Sequence, residues 1–286
     1  LGINGDTTTY DFEPEVNCLS VCWVDSSMGN DQFGGNTAES AKRTIQAGID
    51  AVAAGGIVRV RPGAYNETAS NRFLYSGSGP HTFGLFVPVT KPGITIQGVS
   101  ASNSVIGNWA STVATVTTNA TNSFGPSGVL IEGDNVTLSG LRIVSNTAPA
   151  AATIDVIGNN FALLYANIMA PGGSVLIRDP RYNGGTGAAH IQTYRIESNG
   201  FSNDATLQIA NGAGASGVAS GRLIQFNEFQ QSGLTPSLQF NGSTAGSASF
   251  VNPIGGAWAR FNSFVNSAPS GIHIRARGNI TSDELD

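Results

Sequence analysis

The sequence predicts an all-β protein, a right-handed parallel β-helix with an N-terminal capping α-helix, and three observations carry that expectation. Short apolar strands bounded by Gly, Asn or Ser recur from Val58 onward, at intervals too long for a meander of hairpins. Aligning Leu141, Ala166, Asn199, Asn227 and Asn262 gives steps of 25, 33, 28 and 35 residues. Such uneven steps suit coils that carry loops of different length at their corners. The last three units share Asn-x-Phe, at Asn199/Phe201, Asn227/Phe229 and Asn262/Phe264. Stacked coils set like above like, so the phenylalanines are expected to form an internal aromatic stack. The asparagines are expected to form an amide ladder at a tight turn.

The start of the chain supplies the cap. Thr37 can serve as N-cap, and Ile45, Ile49 and Val52 share one helical face, which predicts a helix over about residues 38–54. Gly55-Gly56 ends it, since glycine accepts left-handed backbone at no steric cost. The alternating residues 57–61 follow as a strand with Val58 and Val60 inward, and Pro62-Gly63 turns the chain into Ala64-Tyr65. Residues 1–36 read as an N-terminal extension or arm, and residues 37–286 as one β-helix domain. A β-sandwich is the rival fold, but it calls for turns every 8–12 residues, and the observed period is longer.

Charged residues make up only 12% of the 286, against about a quarter in ordinary soluble domains. Gly, Ser, Thr, Asn and Ala take their place while Val and Ile remain evenly spread, which excludes a disordered chain. With a net charge of −5, only Lys42 and Lys91 as lysines, and no basic cluster, nucleic acid and anionic membranes are excluded as partners. No apolar run reaches the length of a membrane span, and residues 1–4 do not read as a signal peptide. The small-residue, lysine-poor composition favours an extracellular or cell-surface location.

Cys18 and Cys22 are the only cysteines. A local disulfide in an oxidising compartment is the expected arrangement, and it needs a backbone turn between them. A bridge to a neighbouring subunit is the alternative, whereas a metal pair lacks further nearby His or Cys ligands. Five Asn-x-Ser/Thr sequons, at Asn66, Asn119, Asn135, Asn241 and Asn279, permit N-glycosylation without arguing for it.

The opening segments carry a family resemblance. Trp23-Val24-Asp25, Gly29-Asn30-Asp31, residues 44–51 and residues 62–67 resemble the start of β-helix proteins of the pectin-lyase-like superfamily. Within that superfamily the layout is most similar to pectin methylesterases, through residues 93–98, Val105-Ile106-Gly107-Asn108 and Asn146-Thr147-Ala148. The resemblance covers roughly residues 23–204, and its motifs belong to the scaffold. It implies an Asp nucleophile, a second Asp as acid/base, and Gln and Arg partners for the oxyanion. Where those segments are expected, this chain has Ala150-Ala151-Ala152-Thr153, Gly173-Ser174-Val175-Leu176 and Asn199-Gly200-Phe201-Ser202-Asn203. Ester displacement needs nucleophile and oxyanion donors together, so that activity is not carried over.

Two further chemistries bear on the sequence. Arg178-Asp179-Pro180-Arg181 partly resembles the arginine segment of pectate lyases, which pair such an Arg with carboxylate-held Ca²⁺. Under that alternative Arg178, Asp179 and Arg181 are the site residues, with Asp155, Glu132, Asp134 and Glu197 as an acidic patch if their coils align. The simpler reading makes Asp179 a surface ion pair with its neighbours. Glycoside hydrolysis needs two facing carboxylates, and His81, His190 and His273 stand in unrelated contexts.

The leading expectation is therefore an extracellular, non-catalytic β-helix with a surface, adhesive or filament-forming role and no cofactor. Self-association through the N-terminal arm, whose residues 7–12 are strand-like, and through an uncapped last coil around residues 271–277 goes with it. The alternatives are a polysaccharide lyase-like enzyme on acidic polysaccharide, with Ca²⁺, or carbohydrate binding without turnover through Trp109, Tyr182 or Trp258.

Overall fold

The computed structural model describes residues 17–67, 71–72, 81–118, 128–145, 152–171, 173–178, 193–210, 218–232, 237–241, 255–266, 274–277 and 284–285. Among them, three sheets of nine, seven and seven strands wind into a right-handed parallel β-helix, and every pairing within the three is parallel. The first sheet runs from Val21–Val24 and Ile57–Val60 to Gly255–Arg260 and Glu284–Leu285. The second runs from Gly63–Glu67 to Ser263–Asn266, and the third from Leu85–Val87 to Ile274–Arg277. A separate antiparallel pair, Asn71–Arg72 with His81–Thr82, stands outside the solenoid.

Alternating strands turn one row of side chains inward, and parallel register stacks those rows coil upon coil. In the first sheet Val58, Ile96, Leu138, Leu163, Ile196 and Ile224 follow one another. In the second, Tyr65, Val116, Ile143 and Ile168 lead into Phe201, Phe229 and Phe264. Phe201 and Phe229 stack at 4.5 Å between ring centres, and Phe229 and Phe264 at 5.2 Å, with planes 13° and 9° apart. The third sheet is buried on both faces. Leu85, Val129 and Ile154 point into the core, while Phe86 and Leu130 point outward into a second apolar cluster with Phe83.

The corner from the first sheet to the second repeats a two-residue device. Gly140, Tyr165, Ser198, Phe226 and Phe261 all have left-handed backbone, with φ between 53° and 63°. Each immediately precedes Leu141, Ala166, Asn199, Asn227 or Asn262. The asparagine amides form a ladder inside the turn. Asn199 Oδ1 accepts from Ala166 N at 2.8 Å, Asn227 Oδ1 from Asn199 N and Nδ2 at 3.0 and 2.9 Å, and Asn262 Oδ1 from Asn227 N and Nδ2 at 3.1 and 3.0 Å. Each Nδ2 also donates to a first-sheet carbonyl one coil earlier, Leu163, Ile196 or Ile224. Asn199 and Asn227 are buried, so these bonds satisfy amides that could not otherwise leave water.

The N-terminal end is closed, and by a different arrangement from the one expected. The helix spans only Ile45–Ala51, capped by Thr44, whose Oγ1 accepts from Ala47 N at 3.1 Å. Residues 37–43 are not helical, because they run beside Val21–Val24 as a strap. Trp23 N donates to Gly35 O, Lys42 N to Trp23 O, and Asp25 N to Lys42 O, all at 2.8–2.9 Å. Asp31 Oδ1 accepts from Arg43 N and Thr44 N at 2.8 and 2.9 Å, which sets the helix start there instead of at Thr37. The helix contacts strands of all three sheets and buries Ile45, Gly48 and Ile49. The expected arm also ends earlier than residue 36, since Val21–Val24 pairs in register with Ile57–Val60 and belongs to the solenoid. Residues 1–16 lie outside the described residues. Cys18 and Cys22 form a buried disulfide, with Cα atoms 5.1 Å apart.

Glu67 fastens this end from below. It is buried, and its carboxylate accepts from Ile45 N at 2.7 Å and Gln46 N at 3.4 Å. Burial raises its pKa from 4.5 to about 7 despite these bonds, and the nearby Asp31 charge adds to the rise. Asp25 goes the other way. Burial opposes its charge, but hydrogen bonds from Met28 and Ser27 and the charge of Arg61 hold it below the usual carboxylate range.

Two outcomes follow from these contacts. Asn227→Ala strands a carbonyl and two neighbouring amide groups in the interior and should lower unfolding free energy by about 2–4 kcal/mol in urea titrations. Because folded Glu67 holds its proton more tightly than the unfolded chain does, its contribution is fully present below about pH 4.5 and is lost as pH rises through about 7. Denaturation series between those pH values should show stability falling, and Glu67→Gln should remove that part of the slope.

Candidate functional site

Of the three residues marked in the sequence for lyase chemistry, Arg178 alone lies among the described residues. Arg178 is buried on the third sheet and makes a two-pronged ion pair with the fully buried Asp155, Nε to Oδ1 and Nη2 to Oδ2, both at 2.7 Å. Asp155 faces away from the core, between inward Ile154 and Val156, yet it is covered. The Arg178–Asp155 pair is therefore internal. Asp179 and Arg181 lie outside the described residues. The acidic set does not assemble: Asp134 accepts from Asn159 N at 2.7 Å, while Glu197 pairs with Arg195 on the first sheet at 2.6 Å. Among the described residues no group of three His, Cys, Asp or Glu is placed to hold a metal ion.

A different surface gathers chemistry, the outer face of the second sheet over its last coils. Along one border, Phe226 and Phe261 stack at 5.4 Å with planes 8° apart, and they are 51% and 62% exposed. They occupy the left-handed corner positions just before Asn227 and Asn262. Arg260 lies over the Phe261 ring at 5.7 Å and donates from Nε to Gln225 Oε1 at 3.1 Å. The floor is set by register, with Gly200 beside Glu228 beside Ser263, and Gln230 beside Val265. Glu228 Oε1 accepts from Gln230 Nε2 at 2.7 Å, and Val265 is 52% exposed.

Trp109 stands over the same face. It opens a short 3₁₀ turn, Trp109–Ser111, whose N-cap Asn108 accepts from Ala110 N at 2.9 Å. Its ring lies so close to Gly200 that a Cβ there would come within 2.4 Å, so this glycine makes room for the indole. The far border is an open cleft of about 270 Å³ lined by Asn203, Asp204, Gln230, Gln231, Ser232 and Val265. Asn203 and Asp204 are both left-handed. The Asp204 carboxylate accepts from Ser232 N and, at 2.6 Å, from Ser232 Oγ.

Of the aromatics expected to meet sugars, only Trp109 has a described side chain. Tyr182 lies outside the described residues, and for Trp258 only the backbone is described. Phe226 and Phe261 carry a readable signal, a phenylalanine just before two of the three ladder asparagines. What the sequence hid was the left-handed corner that turns them outward.

No protein-family model matches this sequence, and no curated protein does. A solved structure is similar, that of a pectin methylesterase from Aspergillus niger in a penultimately deglycosylated form. The identity is 10%, the match covers 94% of this chain and 85% of that one, and the TM-score is 0.35. The β-helix assignment rests on the parallel sheets described above.

The internal pair supplies a direct check. Asp155→Asn removes the buried carboxylate that faces Arg178 and should lower unfolding free energy by up to about 3–5 kcal/mol. Asp155→Leu combined with Arg178→Met should cost far less, as a four-variant denaturation cycle would measure.

Proposed function

We propose that this protein is an exported β-helix that works without turnover, as a surface or adhesive protein holding its target on the outer face of the second sheet. One observation carries the reading, the exposed Phe226–Phe261 pair on left-handed backbone. A bulky residue there costs roughly 1–2 kcal/mol that glycine would not. At the corner entering the first sheet the chain uses Gly93, Asn135 and Asn160, which tolerate that backbone. Aromatic rings held out to water at the costlier corner are a feature that folding does not call for. The Cys18–Cys22 disulfide agrees with an oxidising compartment.

Adhesion is favoured over end-to-end growth. Head-to-tail stacking needs open strand edges at both ends of the solenoid. The N-terminal edge is taken up by the strap hydrogen bonds at Trp23 and Asp25, and the helix lies across the first strands of the other two sheets.

Co-sedimentation with isolated cell-wall particles tests the reading. Wild-type protein should pellet with them, and Phe226→Asn/Phe261→Asn should stay in the supernatant with a melting temperature no lower than that of wild type. Equal pelleting of both proteins, or fibres by electron microscopy at high concentration, would argue for an assembly role instead.

A further inference from the structure

Building on the adhesive reading, we propose that this face binds a neutral polysaccharide lying along the strands, from the Phe226–Phe261 ladder past Trp109 to the cleft at Asp204. A sugar ring offers two kinds of surface, an apolar face of C–H groups and a rim of hydroxyls. The site offers both complements in one line. The stacked phenylalanines form a flat apolar band at one border, and Trp109 stands over Gly200 beside it. Aromatic surfaces of this kind bury apolar area at little conformational cost. Between and beyond them, Glu228, Gln230 and Ser232 supply carboxylate, amide and hydroxyl groups suited to a hydroxyl rim.

The dimensions agree with an extended oligomer. At about 3.3 Å per strand residue, Phe261 to Val265 spans roughly 13 Å, room for about two or three rings. The 270 Å³ cleft lies below the roughly 300–1,000 Å³ of sites for drug-sized ligands. It suits a single ring at the end of the run.

Charge selects among polysaccharides. The described face carries two carboxylates, Glu228 and Asp204. Arg260, over the Phe261 ring and bonded to Gln225, sits at the ladder end, and Arg142, on an earlier coil, donates to Met169 Sδ, so the floor from Glu228 to Asp204 carries the carboxylates. A chain of uronic acids would set like charges against Glu228 and Asp204, which works as discrimination by repulsion. The ligand is therefore neutral, and not the acidic polymer that the scaffold resemblance pointed toward.

Isothermal titration with neutral β-1,4-linked glucose and mannose hexasaccharides, and with oligogalacturonate of the same length, tests this. One of the neutral hexasaccharides should bind at least tenfold tighter than the acidic one. Phe226→Asn/Phe261→Asn should weaken that binding at least tenfold with a melting temperature no lower than that of wild type, and Glu228→Gln should narrow the gap to the acidic oligomer. Equal or tighter binding of oligogalacturonate, or full binding by the double variant, would overturn the proposal. If wild-type protein pellets with wall particles through this face but neutral oligomers neither bind nor compete, the ligand assignment fails while the adhesive reading stands. If the double variant pellets like wild type, the adhesive reading fails with it.

Discussion

Five successive coils leave the first sheet and enter the second through the same tight corner, at Gly140, Tyr165, Ser198, Phe226 and Phe261, and that repeated turn governs this part of the solenoid. A two-residue corner in a parallel stack requires one left-handed residue, and it leaves backbone groups facing inward where no strand can pair them. The amides of Asn199, Asn227 and Asn262 take up those groups, each bridging to the coil before it. Since the amides bond along the stack, a coil cannot slip without breaking two neighbours. The inward phenylalanines two residues later inherit that register, which explains why their rings lie nearly parallel.

The same register makes the outer surface periodic. A residue placed just before a ladder asparagine is carried outward at a fixed height, so Phe226 and Phe261 stack outside for the reason Phe229 and Phe264 stack inside. The outside stack gains less from burial and carries the left-handed penalty as well. That imbalance separates the two ladders physically: the inner one contributes more to stability than the outer one.

The N-terminal end shows how a chain with few charges protects its strand edges. Charged edge residues are a common defence, and here covering segments replace them. Both lysines are used on backbone carbonyls. Lys42 Nζ donates to Phe33 O at 2.6 Å and Asp31 O at 3.2 Å, tying the strap together. Lys91 Nζ donates to Asp50 O at 2.9 Å and to Val52 O, where the helix ends and its carbonyls lack partners. Glu67 and Asp31 serve the opposite end of that helix. A seven-residue helix is too short to be stable alone, and these side chains hold it in place.

The winding, the inward rows and the coil steps at Leu141, Ala166, Asn199, Asn227 and Asn262 were determined by the sequence alone, because strand alternation and turn residues act over a few neighbours. The Asn-x-Phe repeat revealed the inner ladder for the same reason. The helix start escaped that reading: apolar spacing extends the helix back toward Thr37, but the strap pairing with Trp23 and the cap from Asp31 are contacts between distant segments. Trp109 over Gly200, and Asp155 with Arg178, likewise needed the tertiary structure. Loops of unequal length decide which coils lie side by side, and only that stacking brings residues far apart in the chain onto one outer face.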